Sequence, residues 1–93
     1  MSGKLRIGQV VQSVAGRDEG KYYLVWDVLN TSRVLLVDGV GRKADCPKKK
    51  NMKHLKTHPV IVEEIEKELL AGQRVTNLEV LMALERTIKN HNQ

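Results

Sequence analysis

The chain has no phenylalanine, one tryptophan, two tyrosines and one cysteine among 93 residues. With Cys46 alone, no internal disulfide can form. So few aromatics argue against a single-strand reader, which stacks successive bases on sheet aromatics. No apolar run approaches the roughly 20 residues of a membrane-spanning helix, and no apolar leader stands at the N-terminus. A cytoplasmic location without a membrane partner is therefore expected. No internal repeat, P-loop, dinucleotide fingerprint or Ser/His/Asp set is present, and the carboxylates cluster on one helix face where solvation accounts for them. A non-enzyme is the expectation. Cys46, His54 and His58 are metal-capable types, and His-x3-His spacing occurs in zinc sites, but no CxxC accompanies them and a fourth ligand is missing. No metal and no cofactor are expected. Cys46 reads as a small buried hydrophobe.

What the chain does have is positive charge, unevenly placed. The net charge is +5, from 16 Lys and Arg against 11 Asp and Glu. Residues 1–56 hold 12 of those cations and 5 of the acids, whereas residues 57–93 hold 4 and 6. A basic half joined to a mildly acidic half points to a polyanion partner for the first half only. The densest stretch is Arg42, Lys43, Lys48, Lys49, Lys50, Lys53 and Lys56, interrupted by a single acid, Asp45. Cations so crowded repel one another and need either solvent or an anion.

The first half is organised around residues 8–21, a short strand running into a charged loop punctuated by Gly16 and Gly20. Arg17 offers a planar fork to phosphate and Lys21 a point charge, with Asp18 and Glu19 partly cancelling them. Strands are predicted over 8–14, 22–29, 33–37, 42–46 and 52–55, and Lys48–Lys50 with Asn51 reads as a polar loop. In the second strand Leu24, Trp26 and Val28 share one face, which makes Trp26 a core residue. Tyr22, beside the loop, is the candidate for stacking on a base. Asp38-Gly39 is a strong turn dipeptide. Short strands with frequent turns indicate a mostly β fold, a small barrel or sandwich.

Gly8-x-Val10, Ala15-Gly16-Arg17-Asp18-x-Gly20-Lys21, Val37-Asp38-Gly39, Arg42-Lys43 and Asn51-x-Lys53-His54-Leu55 follow one another in an order that resembles the KOW motif proteins. The string is similar to large-subunit ribosomal proteins of the fourteen-e type and to small stand-alone bacterial KOW proteins. It covers about residues 6–56. The resemblance implies an SH3-like barrel of about five strands that binds structured RNA, ribosomal RNA above all, as a resident of the ribosome or an associated factor in translation. It adds Asn51 and His54 to the candidate RNA contacts already formed by Arg17, Lys21, Arg42, Lys43, Lys48, Lys49, Lys50, Lys53 and Lys56. Ribosomal proteins are further candidate partners.

Beyond residue 56 the periodicity changes. Pro59 suits the first turn of a helix. Ile61, Val62, Ile65 and Leu69 recur at helical spacing, and Gly72 is a natural stop. Thr76 and Glu79 form a capping box. Leu78, Leu81, Leu84 and Ile88 give a second stripe. The expected organisation is a barrel over 1–56 followed by a C-terminal αα-hairpin over 57–93. Two such short helices rarely persist in isolation. Their stripes must pack on each other and on either the barrel's open end or a second copy, so Ile61, Ile65, Leu69, Leu81, Leu84 and Ile88 are candidates for a homodimer interface. The alternative function is accordingly a protein-interaction or self-association module. Duplex recognition by the two helices as a helix-turn-helix is opposed by their net negative charge.

Overall fold

The computed structural model describes residues 5–91. Five strands, β1 (Gln9–Ser13), β2 (Tyr22–Val28), β3 (Arg33–Val37), β4 (Lys48–Asn51) and β5 (Leu55–Ile61), are followed by α1 (Glu63–Leu70) and α2 (Asn77–His91). The strands form one antiparallel sheet in the order β4-β3-β2-β1-β5. Only the 3₁₀ turn Met52–His54 joins the two edges. In a flat sheet those edges would stand about 19 Å apart at about 4.8 Å per strand. Three 3₁₀ residues advance only about 6 Å. The sheet must therefore curl, which makes the expected barrel.

Alternation along the strands builds two cores. Val11, Tyr23, Val25, Val34 and Leu36 fill the inside of the curl, closed by Leu5, Met52 and Leu55. Val10, Leu24 and Val37 point outward and are covered by Val62, Ile65, Val75, Val80, Ala83 and Leu84 from the helical segment. The central strands are thus buried on both faces. Each fully buried Val or Leu contributes roughly 1.5–3 kcal/mol. The helices cover the barrel's outer face rather than an open end.

Two glycines permit that docking. Gly8, at φ +89°, has the α1 segment against it, and a Cβ there would lie 3.0 Å from Glu66 Cβ. Its carbonyl accepts a 2.8 Å hydrogen bond from the Val62 amide. Gly39, at φ +82°, abuts the first turn of α2, where a Cβ would collide with the Asn77 carbonyl. The Asn77 side chain accepts from the Ala44 amide at 2.9 Å. The capping box forms as expected: Thr76 Oγ1 accepts from the Glu79 amide and Glu79 accepts from the Thr76 amide, both at 3.1 Å.

Several boundaries differ from the expectation. Residues 42–46 are loop, and the fourth strand is the lysine run itself. The fifth strand continues to Ile61, so the boundary expected after residue 56 falls inside β5. Pro59 lies in β5, not in a helix. It sits where the β1–β5 register shifts between the Val11–Thr57 and Gln9–Ile61 pairs, a position in an edge strand that tolerates a missing N–H. Trp26 lies where the β2–β3 register slips, so it is only partly buried and Val28 is exposed. Cys46 is exposed, because the segment carrying it is loop. Lys4, one of the cations counted over residues 1–56, lies outside the described residues.

Candidate nucleic-acid interface

The loop between β1 and β2 is held by a buried carboxylate. Asp18 accepts from Ser13 Oγ at 2.8 Å, from the Tyr23 hydroxyl at 2.9 Å and from Lys50 Nζ at 2.8 Å, and Lys48 Nζ stands 3.0 Å from its second oxygen. Burial alone would raise the Asp18 pKa, but Lys50, Lys48, Ser13 and Tyr23 together hold it well below the usual carboxylate range. Tyr23 responds oppositely: burial, then the Asp18 carboxylate, pushes its phenol above the ordinary value. Gly16 and Gly20, both at positive φ, let the loop turn back over this cluster.

This pin gathers the basic segments. On one side Lys21 reaches Asp38 at 3.5 Å. Asp38 in turn accepts from the Val40 and Arg42 amides at 2.9 and 2.8 Å, shaping the turn that carries Arg42 and Lys43. Burial would raise the Asp38 pKa, but those two amides and Lys21 lower it. On the other side the Val14 amide donates to the His54 carbonyl at 2.9 Å, bringing the 3₁₀ turn with Lys53 and His54 against the loop. Asn51 caps that turn, accepting from the Lys53 amide. Lys56 pairs in register with Gln12, whose side chain donates to the Gly20 carbonyl. The loop thus joins both cationic stretches at one part of the barrel.

The predicted cations then divide by role. Lys50 Nζ spends its three donors on Asp18, Ser13 Oγ and the Ala15 carbonyl. Its side chain is only 10% exposed. It is an internal brace, with no donor left for phosphate. Lys48 makes one ion pair and keeps two donors. Arg17, Lys43, Lys49, Lys53 and Lys56 are exposed, and none makes an ion pair with another described residue. Arg42 is half-buried. Tyr22 packs against the outer core and meets the His58 ring edge-on at 5.1 Å, so its ring is already engaged. Of the candidate dimer residues, Ile65 and Leu84 are buried in the chain's own core, Leu69 packs against it, and Ile61 is on a strand. Leu81 and Ile88 are half-buried.

No protein-family model matches the chain. It is 35% identical over 71 residues to a Bacillus subtilis (strain 168) protein named putative ribosome-binding protein YbzG, an alignment that spans 76% of this chain and 96% of that one. The chain belongs to the YbzG family. For this YbzG relative, sequence reasoning located the loop and the cations but missed Asp18, which it took as partial cancellation of Arg17 and Lys21. The available signal was the alternation of Lys48 and Lys50 about Lys49. Inward lysines on a strand require an internal carboxylate, and Asp18 lies between the two loop glycines.

Proposed function

We propose that this protein is a non-catalytic RNA-binding module that associates with the ribosome by binding ribosomal RNA. The observation that carries the reading is the Asp18 pin, which ties down the loop carrying Arg17 and turns Lys48 and Lys50 inward, while Arg17, Lys43, Lys49, Lys53 and Lys56 are exposed and make no ion pair with another described residue. Preorganised exposed cations meet phosphate without first breaking internal ion pairs. Membership of a family with a relative named for ribosome binding supports the ribosome as the place of action. The resemblance to KOW proteins supports RNA as the component touched. Lys48 and Asn51 border the contact, and His54 adds a side chain capable of hydrogen bonding to sugar or base.

Affinity on this reading is chiefly electrostatic. Replacing Arg17, Lys49 and Lys53 together by Ala is expected to weaken filter binding to ribosomal RNA and to reduce the log–log salt slope by roughly 2–3, at about 0.7–0.9 per lost phosphate contact. An unchanged slope in a folded variant refutes the assignment. Cosedimentation with ribosomal subunits at low and then high salt tests the ribosomal location.

A further inference from the structure

The helices present a second surface of opposite character. A groove of about 480 Å³ lies between α1 and α2. Its lining includes the apolar Ile65 and Ala83, both buried, and Met82, which is 57% exposed. Glu64, Glu68, Glu79 and Glu85 also line it, outnumbering Arg86 and Lys89. Arg86 reaches Glu64 at 3.3 Å with both side chains largely in solvent. An exposed pair of that kind is worth at most about 1 kcal/mol and opens readily.

Two further observations specify the charge of an occupant. Glu68 Oε1 is enclosed and accepts no hydrogen bond from any described residue. A hydrogen bond from the protonated Glu68 carboxyl to Glu79, then burial and the negative charges of Glu79 and Glu64, push the Glu68 pKa up, while Oε1 itself stays unmet. An unmet acceptor next to a second carboxylate is relieved by an ammonium or guanidinium group, which supplies both the missing donor and the countercharge. The same carboxylates repel nucleic-acid phosphate, so the groove is unsuited to the partner of the barrel.

We propose that this groove docks a short amphipathic protein segment with apolar side chains on one face and lysine or arginine beside them. Met82 contacts the apolar face, and Glu68 with Glu79 receives the cation. The volume suits a few side chains rather than a folded domain. The proposal stands independently of RNA binding by the barrel.

The test uses the full chain and a labelled synthetic peptide of leucines at helical spacing with lysines between them. Fluorescence polarisation at near-physiological salt is expected to show saturable binding. Amide chemical shifts should move at 62–68 and 79–89. Met82→Ser and the double variant Glu64→Lys/Glu85→Lys are each expected to weaken binding about tenfold or more. These side chains are exposed, so the unfolding midpoint and ribosomal RNA binding should hold, which separates failure here from failure of the RNA reading. A peptide with serine in place of leucine should not bind. No binding, shifts confined to the barrel, or equal affinity in both variants would each overturn the proposal.

Discussion

Asp18 has four side-chain donors around it and is 8% exposed. Removing its charge leaves Lys50 enclosed without a counterion, a loss on the order of 3 kcal/mol for a buried pair. Asp18→Asn is therefore expected to lower the urea midpoint clearly at pH 7. The sign of the pH dependence follows from a depressed pKa. The stabilisation is fully present above the unfolded value of about 4 and is lost as pH falls below it toward the native value. The gap between wild type and Asp18→Asn should narrow on going from pH 5 to pH 3, and a constant gap would contradict the account. Gly39 offers a second measurement. Gly39→Ala combines positive φ with a collision at the Asn77 carbonyl and is expected to cost upwards of about 2–3 kcal/mol. Gly20→Ala shares the φ but meets open space, so about 1–2 kcal/mol is expected. Equal midpoints for the two variants would mean that α2 does not press on Gly39.

Among the elements, β4 is the least legible in the sequence and the most instructive. Three lysines in a row carry no apolar signal, and strand propensity disfavours them. They form a strand because β3 supplies hydrogen bonds and an apolar face, with Val34 opposite Lys50 and Leu36 opposite Lys48. The stems of Lys48 and Lys50 lie along that face while their ammonium groups reach Asp18. Inward charge on an edge strand also discourages pairing with other chains. Adjacent lysines should therefore behave oppositely. Lys50→Ala is expected to destabilise by about 2–3 kcal/mol by stranding Asp18. Lys49→Ala should stay within about 0.5 kcal/mol of wild type yet weaken RNA binding. Thermal melts and filter binding on the two variants read this directly, and matching melts would dissolve the distinction. The elements with local signatures were easier to read. The Thr76–Glu79 box and the Gly72 stop are set by neighbours within a few residues, and both are where the sequence places them.

For the molecule as a whole, the sheet and the helical segment share one outer core. Val10, Leu24 and Val37 are fully buried only because Val80, Ala83 and Leu84 cover them. A chain ended after Ile61 would expose that face, and it is expected to be unfolded or strongly destabilised, as circular dichroism and amide dispersion would show. A well-folded 61-residue barrel would refute the two-sided core. The charge is also divided at this scale. The basic loops surround Asp18, and the acidic groove lies between α1 and α2. Among the described residues no helix is long and apolar enough to cross a membrane.

Hydrophobic alternation, the glycine turns, the capping box and the uneven charge are local properties, and they dictated a small, basic β-structure followed by two helices. Contacts between residues far apart in the chain settled the rest. These include which lysines turn inward, where β5 ends, which face the helices cover and which glycines must stay bare for them to approach. Such facts depend on pairing Lys50 with Asp18, or Gly39 with Asn77, more than 30 positions away. No local pattern encodes a partner at that distance, because the free energy that selects it comes from burial shared across the assembled core.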